Sequence, residues 1–127
     1  MTKRQTILVA DDDSDLLKAL TMRLWDLGFE VVTATDSYNA LALATQSKPD
    51  LLLLDVNMPA GDGFSVQERL KTIDGLDSVP VIYMTGDKSE RLDDIAQRIG
   101  GIAIFHKPFD LNSLLTTIGK ILQPTAA

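Results

Sequence analysis

The sequence predicts an α/β fold in which five parallel β-strands form one sheet with helices on both faces. Short apolar runs alternate five times with longer segments whose apolar residues recur every three or four positions. The third run, residues 51–54, is apolar throughout, which is typical of a central strand that is buried on both sides. Alternation of strands and helices favours right-handed crossovers, which give one parallel sheet between two layers of helices.

Each predicted strand is an apolar run that is followed by a helix. The strands are predicted at residues 7–10, 31–34, 51–54, 79–84 and 102–105. The helices are indicated by apolar residues on one face, namely Leu16, Leu20, Leu24 and Leu27, then Ala40, Leu41 and Ala44, then Val66, Leu70 and Ile73, then Leu92, Ile95, Ala96 and Ile99, and finally Leu111, Leu114, Leu115, Ile118, Ile121 and Leu122. Asp13 or Ser14 suits the first helix N-cap, Gly28 suits its end, and Pro80 is tolerable near a strand start.

Length and composition restrict the class of protein. The 127 residues suit one domain, which we expect to span residues 1–127 with a core of about 5–122. No apolar segment approaches the roughly 20 residues of a membrane helix, and no signal peptide precedes the first strand. The absence of cysteine favours a cytoplasmic location. A net charge of -6 argues against direct nucleic-acid binding.

Reactive polar residues follow four of the five predicted strands. The carboxyl ends of parallel strands meet at one edge of a sheet, so we expect these side chains to lie close together. They are Asp11 and Asp12 after the first strand, Asp55 after the third, Thr85 and Gly86 after the fourth, and Lys107 after the fifth.

Three crowded carboxylates predict a metal site. Asp11, Asp12 and Asp55 would repel one another unless they protonate or a cation lies between them. Magnesium prefers oxygen ligands and commonly combines one or two carboxylates with water, so Mg²⁺ is the expected cofactor and Mn²⁺ the alternative. The backbone carbonyl of Asn57, two residues beyond Asp55, is a further candidate ligand.

The remaining residues of this set suit phosphoryl transfer to a carboxylate. Asp55 is placed as the nucleophile, because carboxylates form acyl phosphates. Lys107 can supply positive charge, while the Thr85 hydroxyl and the Gly86 backbone N–H can donate hydrogen bonds to phosphoryl oxygens. The Asn57 side chain would face the entering group. Positioning and charge neutralisation are what the loose transition state of phosphoryl transfer requires.

In these residues the sequence resembles the CheY-like receiver domain of two-component response regulators. The matching segments are ILVADDD at 7–13, LLLLDVNMP at 51–59 with GDG at 61–63, PVIYMTG at 80–86 and KPF at 107–109. Their order and spacing match from about residue 5 to residue 122. The resemblance implies a flavodoxin-like (βα)₅ fold with strand order 2-1-3-4-5.

The resemblance also implies a phosphorylation switch, which is not an enzyme beyond catalysing its own phosphorylation and slow dephosphorylation. The donor would be a phosphohistidine on a histidine kinase or a histidine phosphotransfer protein. Asp55 would be phosphorylated, and Thr85 would move to bind the phosphoryl group, which Lys107 would pair with. Asn57 and Asp87 would influence the phosphoryl lifetime. The family further implies a cis peptide bond before Pro108.

The family's signalling surface corresponds here to the fourth helix, the fifth strand and the fifth helix, about residues 88–122. A downstream protein or an output domain would bind it, and a homodimer is an alternative. The chain ends soon after the last helix, so we expect no output domain in it. One departure concerns the switch: the family carries Tyr or Phe three residues before the lysine, where this chain has Ile104. Phe105 faces the other side of the strand, so we predict a muted conformational response.

Three other functions fit parts of the sequence. Residues 11–13 contain the Asp-x-Asp pattern of haloacid-dehalogenase-like aspartyl phosphatases, which would turn over small phosphomonoesters. A flavin-binding module shares the predicted topology, but an acidic first loop would repel the flavin phosphate. A pseudo-receiver would bind a partner without being phosphorylated. The single histidine, His106, is interpreted as a partly exposed strand residue, and Trp25 as a packing residue.

Overall fold

The computed structural model describes residues 4–122, in which five strands and five helices alternate. The elements are β1 (Thr6–Ala10), α1 (Ser14–Asp26), β2 (Glu30–Ala34), α2 (Ser37–Ser47), β3 (Leu51–Asp55), α3 (Gly63–Leu70), β4 (Val81–Thr85), α4 (Glu90–Ile99), β5 (Ala103–His106) and α5 (Leu111–Ile121). All strand pairs are parallel, and the strand order is β2-β1-β3-β4-β5. The predicted flavodoxin-like (βα)₅ topology is therefore confirmed.

The sheet divides the core into two layers because successive strand residues face opposite sides. Leu8, Leu52 and Tyr83 face the layer formed with α2, α3 and α4. Leu53 and Ile82 face the layer formed with α1 and α5. β3 is buried along its whole length, as its unbroken apolar run predicts. Because β3 lies at the centre of the sheet, its carboxyl end has strands on both sides.

Two strands begin later than the sequence predicts. β4 begins at Val81, because Pro80 has no N–H to contribute to the ladder, although its carbonyl accepts a hydrogen bond from the Leu52 N–H at 3.0 Å. β5 covers Ala103–His106, one residue later than predicted, and Ile102 before it is half exposed. Both shifts leave the residues that follow these strands at the same edge of the sheet.

The interpretation of Trp25 as a packing residue is wrong. Its side chain is 49% exposed near the end of α1, where the Arg4 guanidinium lies 4.0 Å from the ring centroid. Arg4 also donates a hydrogen bond to the Trp25 backbone oxygen. Leu27, expected on the buried face, is 57% exposed because it caps the helix instead of extending it. The apolar spacing identified the helix correctly but not the exposure of its last turn.

Gly63 begins α3 directly behind the end of β3. A Cβ atom at this position would lie 2.5 Å from the backbone oxygen of Asp55. We expect Gly63→Ala to destabilise the domain by about 1–3 kcal/mol, because backbone must move to relieve the overlap. Urea unfolding measures the change. Gly119→Ala is the matched control: its Cβ would meet nothing within 4 Å inside α5, and helix propensity favours alanine. Equal stability of the two variants would contradict this prediction.

Candidate functional site

Three carboxylates meet at the carboxyl ends of β1 and β3. Asp11, Asp12 and Asp55 each place an oxygen atom within 4.8 Å of the others. The parallel register pairs Ala10 with Leu54, so the residues that follow these two lie side by side. Asp11 and Asp55 are almost fully buried, whereas Asp12 is exposed. This acidic cluster could bind a metal ion, and its opening to solvent lies on the Asp12 side.

Backbone N–H groups fix the orientation of the two buried carboxylates. Asp11 Oδ1 accepts a hydrogen bond from the Asp13 N–H at 2.9 Å. Asp55 Oδ1 accepts one from the Asn57 N–H at 3.1 Å. In both residues the second oxygen, Oδ2, is directed toward the Lys107 ammonium. The side chain of Asp13 itself caps α1 by accepting from Asp15 and Leu16, as predicted.

Lys107 brings a positive charge to both buried carboxylates. Its Nζ donates to Asp11 Oδ2 at 2.7 Å and to Asp55 Oδ2 at 3.4 Å. The Lys107 backbone N–H donates to the Thr85 carbonyl at 2.7 Å, which fixes the lysine beside the end of β4. The peptide bond between Lys107 and Pro108 is cis, as the family resemblance implies. The lysine predicted from the fifth strand therefore lies in the acidic cluster.

The surroundings of the cluster shift the pKa values of Asp55 and Lys107. Burial raises the pKa of the Asp55 carboxyl to about 6, and the negative charge of Asp11 adds to this effect. The Asn57 N–H and the Lys107 ammonium act in the opposite direction but do not cancel it. For Lys107 burial opposes the charged form, yet its hydrogen bond to Asp11 and the charge of Asp55 raise its pKa overall. Asp55 thus lacks full compensation for its negative charge.

This pKa shift predicts that the stability of the protein depends on pH when no divalent cation is bound. The ordinary pKa is 3.8, so between 3.8 and about 6 the folded state retains a proton that the unfolded chain loses. The stabilising contribution of Asp55 is fully present below the unfolded-state pKa of 3.8 and is lost as pH rises through the folded-state pKa of about 6. At about pH 8 we expect Asp55→Asn to be more stable than the natural protein by about 1–3 kcal/mol.

Urea unfolding in EDTA, repeated from acid to neutral pH, measures this difference. The two proteins should converge in stability near pH 4, where the carboxyl group is protonated in the folded and unfolded states alike. Lower stability of the asparagine variant at about pH 8 would contradict the prediction.

Thr85 lies at the same edge of the sheet, where a hydrogen bond within its own turn holds its side chain. It is fully buried at the end of β4, where its Oγ1 accepts a hydrogen bond from the Asp87 N–H at 3.0 Å. Within residues 4–122, no hydrogen bond joins Thr85 to Asp55. Gly86 and the side chain of Asn57 are exposed at the same edge. The six residues predicted after the strands therefore share one edge, and the Thr85 hydroxyl is hydrogen-bonded within its own turn.

The position of Ile104 agrees with the predicted departure from the family. Ile104 pairs with Tyr83 across β4 and β5, and both pack in the layer beneath α3 and α4. Phe105 faces the opposite layer, where its ring packs edge-on against Phe109 with centroids 5.8 Å apart. Phe105 therefore cannot take the place of an aromatic residue at position 104.

Sequence reasoning missed two polar contacts near the site. The buried Tyr83 hydroxyl donates to Gln67 Oε1 of α3, and the Tyr83 ring packs edge-on against Phe64 with centroids 4.8 Å apart. Burial raises the pKa of the Tyr83 hydroxyl, so it stays protonated as a donor. His106, predicted as a partly exposed strand residue, is one, but it also contacts α4. His106 precedes Lys107 in the sequence and pairs with Thr85 in the sheet, and this position could have indicated that it lies near the site.

Comparison with known proteins identifies the family. Residues 7–119 match the response regulator receiver domain, and the chain belongs to this family. It is 39% identical over 122 residues to the transcriptional regulatory protein PrrA of Mycobacterium bovis, covering 92% of this chain and 49% of that protein. It is 32% identical over 124 residues to the DNA-binding dual master transcriptional regulator RpaA of Synechocystis, covering 94% and 49%. The chain thus spans about half the length of these relatives.

Solved structures show the same relationship. The chemotaxis protein CheY4 of Vibrio cholerae superposes with a TM-score of 0.87 at 28% identity, covering 94% of this chain and 100% of that chain. A CheY-like receiver domain protein of Methanospirillum hungatei gives 0.85 at 25% identity, with 93% of each chain covered. The protein is therefore a receiver domain of phosphorylation-based signalling, and the match disfavours the phosphatase and flavin-binding alternatives. No helix within residues 4–122 has the length and apolar character needed to cross a membrane.

Proposed function

We propose that Asp55 accepts a phosphoryl group from the phosphohistidine of a histidine kinase or histidine phosphotransfer protein. The supporting observation is the juxtaposition of a buried Asp55 carboxylate with two further carboxylates and with the Lys107 ammonium. An Asp55 oxygen attacks phosphorus, the new P–O bond forms as the P–N bond breaks, and the donor imidazole leaves with the electron pair. The product is an acyl phosphate on Asp55.

The donor set fits a magnesium ion. Asp11, Asp12 and Asp55 offer carboxylate oxygens within 4.8 Å of one another, and the Asn57 carbonyl is the fourth protein ligand in this proposal. Hard oxygen ligands suit Mg²⁺, with Mn²⁺ as the alternative. Bound here, the cation would offset the charge of the cluster and of an incoming phosphoryl group.

The other side chains stabilise the transferred group. Lys107, already directed at Asp55 Oδ2, pairs with a phosphoryl oxygen. The Gly86 N–H and the Thr85 hydroxyl donate to other phosphoryl oxygens, and the Asn57 side chain faces the entering group. The Thr85 hydroxyl accepts a hydrogen bond from the Asp87 N–H and keeps its own proton, so a movement of this turn brings the donor to the phosphoryl group. Side chains at Asn57 and Asp87 then tune how long the phosphoryl group lasts.

Movement of Thr85 shifts the face formed by residues 88–122 between two arrangements. This face then binds a downstream protein or an output domain in the cytoplasm, and self-association through it is an alternative. PrrA and RpaA are transcriptional regulators about twice as long as this chain, which supports an attached or separate output partner. Because Ile104 replaces the family's aromatic residue, we propose that the conformational response is muted. Small amide chemical-shift changes in α4 on phosphoryl mimicry would support that, and large ones throughout α4 would refute it.

Labelling with a small phosphoramidate donor tests the proposed function. In Mg²⁺ we expect one hydroxylamine-labile phosphoryl group, mapped by peptide sequencing to Asp55, and in EDTA none. Magnesium-dependent binding of beryllofluoride should accompany it. Failure to bind beryllofluoride would indicate a pseudo-receiver, and steady turnover of a small phosphomonoester without stable labelling would indicate a phosphatase.

A further inference from the structure

His106 lies at the end of β5, between the turn after β4 and helix α4. Its Nδ1 is 3.2 Å from the backbone oxygen of Asp87, and its Nε2 is 2.8 Å from Asp93 Oδ1 of α4. The strand register places it directly opposite Thr85. One side chain therefore joins the turn that holds Thr85 to the helix of the proposed signalling face.

Asp87 connects this histidine to the site. Its N–H donates to Thr85 Oγ1 at 3.0 Å, while its carbonyl oxygen faces His106. Its carboxylate accepts a hydrogen bond from the N–H of Ser89, the N-cap of α4, at 2.9 Å. Any displacement of the Asp87 backbone therefore changes the contacts of Thr85, His106 and the start of α4 together.

We propose that His106 is a positioning residue that retains Thr85 in its resting arrangement, in which the hydroxyl accepts from the Asp87 N–H. By holding the Asp87 carbonyl and Asp93 at once, it opposes the movement of this turn that would carry the Thr85 hydroxyl to the phosphoryl group. The proposal rests on the proposed function, because it concerns the resting position of the phosphoryl-binding threonine. It predicts that loss of His106 makes the phosphoryl-bound arrangement easier to reach.

The chemistry of the contacts gives the proposal a specific signature. A carbonyl and a carboxylate both accept hydrogen bonds, so the ring donates to both only as an imidazolium. The charged groups around the ring are Asp93 from α4, Asp87 from the turn and the neighbouring Lys107, whose ammonium is directed at Asp11. Thr85, opposite on β4, carries no charge. The specific signature is therefore that acceptor oxygens are needed at both Asp87 and Asp93.

Beryllofluoride affinity in saturating Mg²⁺ tests the proposal on the full chain. We expect His106→Ala to bind about two- to fivefold more tightly than the natural protein, the range expected for a partly exposed ion pair. Asp93→Ala should act in the same direction, and Asp93→Asn, which keeps an acceptor oxygen, should lie closer to the natural protein. Asp94→Ala is the matched control, because this neighbouring carboxylate forms no ion pair or hydrogen bond within residues 4–122.

Recovery of affinity in Asp93→Asn separates positioning from a merely structural role, because that variant keeps the acceptor for the His106 ring. An unchanged or weakened affinity of a folded His106→Ala variant overturns the proposal, as does an Asp93→Asn variant that behaves like Asp93→Ala.

A second measurement does not depend on the phosphoryl site. Hydrogen exchange of the Asp87 amide should be faster in His106→Ala, because its carbonyl anchor is lost, and unchanged exchange overturns the proposal. If the natural protein binds no beryllofluoride, the proposed function fails. The exchange rate of the Asp87 amide then still tests whether His106 holds this turn.

Discussion

Replacing Asp55 with asparagine is expected to reduce phosphoryl labelling by more than about 10³-fold, to background, because an amide cannot form the acyl phosphate. The shape of the side chain and the Asn57 N–H that orients it are preserved by this change. A radiolabelled or phosphoramidate donor in saturating Mg²⁺, with the label followed over time, measures the loss.

Asp50→Asn is the matched control for this experiment. Asp50 lies at the opposite end of β3, where its carboxylate accepts a hydrogen bond from the Thr6 N–H at 2.7 Å. The same chemical change, just before the start of the same strand and far from the site, should leave labelling intact. Undiminished labelling of Asp55→Asn at another residue would refute the assignment. Urea unfolding in EDTA checks that the variant is folded, because there it is expected to be the more stable protein at about pH 8.

The elements of the fold were predictable from sequence because burial restricts composition so strongly. Residues 51–54 of β3 have helices on both sides, so every position must be apolar, and the sequence shows this directly. The helices carry their signal at three- and four-residue spacing for the same reason. The boundaries of the strands were harder to predict. β4 begins after Pro80 because proline has no N–H to donate to the sheet, and hydrophobicity does not record this missing donor.

The meeting of acids and lysine was expected because the carboxyl ends of parallel strands share one edge of the sheet. The strand order that makes the residues after Ala10 and Leu54 neighbours came from the family resemblance. The finer geometry was not predictable, since Lys107 lies nearer to Asp11 than to Asp55 only through the path of its backbone and rotamer. The same holds for Thr85, whose hydroxyl accepts from the Asp87 N–H in its own turn.

Contacts between distant elements left no periodic signal in the sequence. The Tyr83–Gln67 hydrogen bond depends on how α3 lies across β4, and nothing in the apolar spacing of either element marks it. The contact of His106 with Asp93 similarly depends on which face of α4 approaches β5. These side-chain pairs join β4 to α3 and β5 to α4, and only the structure reveals them.

Replacing Lys107 with methionine should have opposite effects on phosphorylation and on cation binding. The ammonium lies 2.7 Å from Asp11 and 3.4 Å from Asp55, so it offsets part of their charge when no metal is bound. Removing it leaves the cluster more negative and should tighten Mg²⁺ binding. Phosphoryl transfer should nevertheless slow by about 10²–10³-fold, because a group directed at the developing phosphoryl charge is lost. Magnesium titration by calorimetry and the labelling rate at saturating Mg²⁺ measure the two effects separately.

The matched control is Lys120→Met, which removes a positive charge near the end of α5, on a helix that contributes none of the proposed site residues. This variant keeps the net charge equal to that of Lys107→Met, so a general electrostatic effect on Mg²⁺ or donor binding would appear in both. A specific role for Lys107 requires that the two variants differ in both measurements. Weaker Mg²⁺ binding in Lys107→Met would show that the lysine organises the carboxylates instead of competing with the cation, because their mutual repulsion would then scatter the ligands before any ion arrives.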